Sequence, residues 1–226
     1  MSDNNENVLL SYPRSGNHLC RFFIELLSEL PTHGCKGSKT DIEINKNAFD
    51  ESVPFNISTE FDKNKCYVKY HNAPSNNINT KNLILIVRNP REVLLNQCNY
   101  KLNITRRWDS YSRYFQNIDY YNNHKGKKLL LYYEDMLTNK KEFINKLYDF
   151  LSINNAAKKE YTLSNIEKLY TLSSNGKTRD WGGIKSNFQL DFYYSRIPDS
   201  IKHNFDNYLS KTLKNYPLLQ KKYNIV

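Results

Sequence analysis

The stretch Val8-Leu9-Leu10-Ser11-Tyr12-Pro13-Arg14-Ser15-Gly16-Asn17-His18-Leu19 decides the fold. Its apolar run over residues 8–12 reads as a buried strand. Gly16 breaks that run. Beyond the break, Leu19, Phe22, Phe23, Leu26, Leu27 and Leu30 recur at helical spacing until Pro31 ends the pattern. The unit is therefore strand, tight turn, helix. Such a turn aims successive backbone N–H groups at one point, and the helix start adds about half a positive charge there. An anion is the natural occupant. Arg14 contributes a fork of donors, Ser15 a hydroxyl, and Gly16 lets the backbone approach closely.

Working outward, residues 66–70, 83–87 and 129–133 read as three further strands. The unbroken apolar character of 83–87 suits a parallel strand covered on both faces. Pro90 opens a helix carried on by Val93, Leu94 and Gln97. Residues 104–127 read as helical. Phe143, Leu147, Phe150 and Leu151 share one face of a helix that Asn139 and Glu142 would start as a capping box. Ile201, Phe205, Leu209 and Leu213 mark a last amphipathic helix. Strands alternating with helices predict an α/β fold, a single domain over 1–226 with a central parallel sheet flanked by helices. Residues 1–6 read as a disordered tail. Residues 32–65 are polar and read as a long surface loop or lid.

The chain has 226 residues, 25% of them charged and 39% hydrophobic, which is a globular balance. A net charge of +10 favours anionic partners: nucleic acid, an acidic membrane or a small polyanion. No apolar run is long enough to span a membrane. The polar start of the sequence lacks the apolar centre of a secretory signal. Cys20, Cys35, Cys66 and Cys98 form no CxxC pair, so reduced thiols and a cytoplasmic location are expected. A Walker A loop is missing. Gly176-Lys177-Thr178 matches its tail, but position 171 is Thr where that motif needs Gly.

The first loop resembles the 5′-phosphosulfate loop of sulfotransferases that use 3′-phosphoadenosine 5′-phosphosulfate (PAPS), whose pattern is close to Y-P-[KR]-S-G-[TN]-T-W. Three further matches follow in that family's order. Arg88-Asn89-Pro90-Arg91-Glu92-Val93 is similar to its R-N-P-[KR]-D-V motif. Tyr133-Glu134-Asp135-Met136 is similar to its Y-E-D-[ML] element, and Gly176-Lys177-Thr178-Arg179-Asp180-Trp181 to its R-K-G-x-x-G-D-W. The resemblance implies a sulfotransferase or nucleotide-kinase-like fold. It implies that Arg14, Ser15, Gly16, Asn17, His18 and Leu19 hold the donor's 5′ end. Arg88 and Asn96 would hold the 3′-phosphate, with Tyr133, Gly176, Lys177 and Arg179 also at the nucleotide. Asn96 stands where the family usually has Ser, and His18 where it has Thr.

Lys69-Tyr70-His71-Asn72-Ala73-Pro74 resembles the family's K-x-H-x-P, with one extra residue before the proline. This makes His71 the expected general base and Lys69 a cation for the sulfuryl group in flight. Arg14 would stabilise the departing phosphate. A general base of this kind is worth ~10²–10⁴-fold in rate. The resemblance implies PAPS as donor, PAP (adenosine 3′,5′-bisphosphate) as product, and no required metal. A small-molecule or carbohydrate acceptor is implied, without nucleic acid. Arg106-Arg107-Trp108 and the aromatic run after them are expected to border that acceptor. A nucleotide or nucleoside kinase and a catalytically silent PAP-binding module are the alternatives. The acceptor and the oligomeric state stay open.

Overall fold

Alternation along the first strand sets the layers. The computed structural model describes residues 5–34, 58, 60, 62, 64–75, 78–97, 108–175 and 194–225. In it, β1 (Asn5–Ser11) sends Val8 and Leu10 to one side and Leu9 to the other, as a period of two requires. β3 (Asn79–Val87) repeats this, with Leu83, Leu85 and Val87 joining Val8 while Ile84 and Ile86 join Leu9. A strand that is apolar on both faces needs helices on both. On the Leu9 side lie α1 (Asn17–Ser28), α4 (Tyr133–Thr138), α5 (Lys140–Leu151) and α7 (Ile166–Asn175). On the Val8 side lie α2 (Pro90–Gln97), α3 (Trp108–Asn123), α8 (Asp199–Leu213) and α9 (Pro217–Tyr223). The remaining helix, α6 (Ala156–Ser164), is capped by Asn155, whose side chain accepts from the Lys158 N–H.

With β2 (Tyr67–Tyr70) and β4 (Lys127–Tyr132), the sheet runs β2-β1-β3-β4, and every pair is parallel. The chain leaves β1 for β2 on one flank and returns to β3 on the other. The C-terminal end of β1 is thus the point where strand order reverses, the usual ligand crevice of open α/β sheets.

Several expectations change. β1 begins at Asn5, so Asn5 and Glu6 leave the supposed tail: they pair with Asn79 and Thr80, and Glu6 accepts from the Tyr70 hydroxyl at 2.8 Å. The supposed loop from residue 32 starts inside the fold. Thr32 is buried and binds Glu25 and Arg21, and His33 forms a parallel bridge with Val68. Most of the rest of 32–65 lies outside the described residues. The fourth strand stops at Tyr132, and Tyr133 starts α4. Asn139 does sit at the start of α5, but its side chain makes no capping bond. It also closes α4 through its N–H to the Asp135 carbonyl, which fixes its backbone, while Glu142 pairs with Lys146 at 2.6 Å. Two helices stand where one was expected. Among the described residues, no helix is long and apolar enough to cross a membrane.

Candidate functional site

The turn after β1 is held in an unusual backbone shape. Arg14 has φ of 71° and Gly16 of 89°, both left-handed. For Arg14 that conformation costs about 1–2 kcal/mol. Gly16 is required twice over, because a Cβ there would also lie 2.3 Å from Cδ2 of Tyr133. Gly16 is the N-cap of α1, and no side chain caps the helix. No acidic residue sits in its first turn. This helix start suits an anion.

Two buried donors nearby point the same way. Ser15 Oγ and Arg88 Nε have no hydrogen-bond partner among the described residues, and neither does Asn17 Oδ1. A buried polar group left unpaired costs ~1–3 kcal/mol. The serine hydroxyl and the guanidinium N–H are donors of the type a phosphate or sulfate accepts. Asn17 is held by donating from Nδ2 to Ser11 Oγ at 2.8 Å.

Arg88, just beyond β3, is fixed from several sides. Its carbonyl accepts from the Tyr114 hydroxyl at 2.8 Å, and its Nη1 donates to the Arg14 carbonyl at 2.9 Å. Its guanidinium lies 4.7 Å from the centre of the Tyr133 ring. Burial, with Glu134 and Tyr132 nearby, pushes the Tyr114 phenol well above its ordinary range, so it stays a donor. Next along, Asn89 donates its N–H to Glu134 Oε1 at 2.9 Å, and Glu134 Oε2 accepts from the Tyr223 hydroxyl at 2.9 Å.

His71 follows β2 and reaches back to β1. Its Nδ1 lies 3.0 Å from the Ser11 carbonyl, which can only accept. The proton therefore sits on Nδ1, and in the neutral ring the basic lone pair is on Nε2. The His71 carbonyl in turn accepts from Asn117 Nδ2 of α3 at 3.0 Å. Lys69 is buried on β2, in register with Leu9.

A family model described as a sulfotransferase domain matches residues 5–216. The chain belongs to the sulfotransferase domain family. A search of curated proteins finds no match. Among solved structures, retinol dehydratase in complex with retinol and PAP has a TM-score of 0.63 at 14% identity, covering 95% of this chain and 82% of that one. Mouse sulfotransferase SULT7A1 complexed with PAP has a TM-score of 0.60 at 15% identity, covering 98% and 88%. At such identities the likeness shows the shared fold.

In this sulfotransferase-family chain several of the expected site residues meet at the end of β1. Arg14, Ser15, Gly16, Asn17, His18 and Leu19 form one turn and helix start, with Arg88 bonded to it, Tyr133 packed on Gly16, and His71 tied to the strand below through Ser11. Asn96 lies on α2, but its side chain falls outside the described residues, as do Gly176, Lys177, Arg179 and the Arg106-Arg107-Trp108 side chains. Sequence reasoning misses Tyr114 and Asn117, and the bonds made by Ser11 and Glu134. Each acts through a neutral or internal hydrogen bond to a residue far along the chain, and no local motif announces such a bond.

Proposed function

We propose that this protein transfers the sulfuryl group of PAPS to a hydroxyl or amine of a small-molecule or carbohydrate acceptor. The observation that carries the reading is the meeting of two features at the end of β1. One is an uncapped helix start with unpaired buried donors. The other is a histidine whose tautomer puts the basic lone pair on Nε2. Retinol dehydratase and mouse SULT7A1, which share the fold, both hold PAP in their crystals, in line with a donor site of this kind.

PAPS supplies the sulfuryl group and the phosphate that leaves. Arg14, Ser15, Gly16, Asn17, His18 and Leu19 hold its 5′ end through backbone amides and the Ser15 hydroxyl. Arg88 and Asn96 take the 3′-phosphate. His71 Nε2 accepts the acceptor's proton while the acceptor oxygen or nitrogen bonds to sulfur and the bridging S–O bond breaks. The resulting imidazolium keeps its Nδ1–H on the Ser11 carbonyl, so the base does not reorient as it charges. Arg14 and Lys69 offset the negative charge developing around sulfur and the leaving phosphate.

Incubating the protein with sulfur-labelled PAPS and a panel of phenols, alcohols, amines and sugars tests the reading. Label should pass to at least one acceptor class, with PAP released in equal amount. PAP binding without transfer to any acceptor would favour the silent module instead.

A further inference from the structure

Arg88 does more in this structure than offer a donor at the end of β3. One of its guanidinium N–H groups is spent on the protein itself, through the 2.9 Å bond from Nη1 to the Arg14 carbonyl. Arg14 is a non-glycine residue in the left-handed region, at φ 71°, and such a backbone persists only where its surroundings hold it. Two residues on, Gly16 is also left-handed, with the Tyr133 ring against it. The other face of this arrangement is Arg88 again, its guanidinium over the same Tyr133 ring. Tyr114 then anchors the Arg88 main chain. The turn after β1 is thus tied to the end of β3 by one side chain, which still carries a buried, unpartnered Nε–H.

We propose that Arg88 is a positioning residue for the 12–16 turn: its bond to the Arg14 carbonyl holds the anion-binding shape of that turn, so that recognition at the two ends of the nucleotide is coupled through one guanidinium. This rests on the donor reading above, and goes beyond the assignment of Arg88 to the 3′-phosphate. A residue that served the 3′-phosphate alone would be irrelevant to a nucleotide lacking that group. A clamp on the turn matters to any 5′-phosphorylated nucleotide, and matters before any ligand arrives. An anion on Nε would also fix the guanidinium, tightening the turn and strengthening 5′ binding in return.

Two measurements on wild type and Arg88→Met test this, with Arg88→Lys as the variant that keeps a charge and a donor but loses the fork. The first is amide hydrogen exchange of the unliganded proteins. The 12–17 segment should exchange about 10-fold faster in Arg88→Met, on the scale of one charge-assisted hydrogen bond. The interior of α1 should be unchanged, and Arg88→Lys should lie between. The second is titration with AMP and with PAP. AMP affinity should fall about 10-fold in Arg88→Met, and PAP affinity by more. Unchanged exchange of the turn together with unchanged AMP affinity would overturn the clamp. Failure of the wild type to bind PAP would overturn the donor reading instead, and the exchange result would still decide the clamp.

Discussion

The two ends of the parallel sheet use the same residue types to opposite effect. At the N-terminal end, Asn7 donates to the Asn64 and Lys65 carbonyls and accepts from Asn82, and Lys127 donates to the Phe150 carbonyl and to Ser152. These groups line a cleft of about 350 Å³. At the C-terminal end, Ser15 Oγ, Asn17 Oδ1, Arg88 Nε and Asn117 Oδ1 are buried and without partners among the described residues. At the far end His124 Nε2 is also without a partner among the described residues, and a Cβ on Gly126 would meet it at 2.7 Å. This cleft is therefore not the better site for an anion. Its polar groups already satisfy one another and staple strand starts to neighbouring loops. The C-terminal end keeps the Ser15 hydroxyl and the Arg88 Nε–H in reserve, which costs stability and suits a site where a ligand completes the bonds.

This contrast can be broken by substitutions at either end. The largest effect belongs to His71→Ala, which should lower turnover with PAPS by about 10²–10⁴-fold in steady-state assays. PAP affinity should stay within about twofold, since the role proposed for the imidazole is proton acceptance and not donor binding. Gly16→Ala must place a methyl against Tyr133 and hold a left-handed backbone. PAP affinity measured by calorimetry should fall about 10²-fold, the equivalent of ~2.7 kcal/mol. Asn117→Ala removes the bond to the His71 carbonyl. It should lower kcat about 10-fold while leaving the KM for PAPS nearly unchanged, which separates positioning of the base from donor binding.

At the other end the signature inverts. Asn82→Ala loses its bond to buried Asn7. Denaturant unfolding should show a loss of about 1 kcal/mol with PAP affinity intact. The smallest effect is that of pH. Burial, with Glu134 and Tyr114 adding to it, raises the Tyr223 phenol well above its ordinary value of 10.0. Between that value and the folded one, the native state keeps a proton that the unfolded chain has lost. Stability is thus full below about pH 10 and falls as pH rises beyond it. In Tyr223→Phe the fall in Tm over that range should be shallower.

The sequence carries the sheet and the site turn plainly, and the physical reasons are local. Leu83 to Val87 must be buried on both faces, and Gly16 must end the first strand. The tie from His71 to Ser11 spans 60 residues, and that from Asn117 to His71 spans 46, so neither leaves a periodic trace. Tyr133 is legible as a motif residue, but not as the ring that both excludes a side chain at Gly16 and supports Arg88. α6 and α7 stay hidden in a Lys-, Glu- and Asn-rich stretch, although Leu169 and Tyr170 of α7 pack into the core. Asn139 shows how a correct cap position fails to cap, because the preceding helix already dictates its backbone.

The central claim is that the end of β1 is a donor site for a nucleotide phosphorylated at both 3′ and 5′ positions. Calorimetric titration with PAP, with ATP as control, tests it most directly. The account predicts one saturable site for PAP that ATP does not displace and that Arg88→Met weakens. No PAP binding by folded protein, or equal binding of ATP, would contradict it.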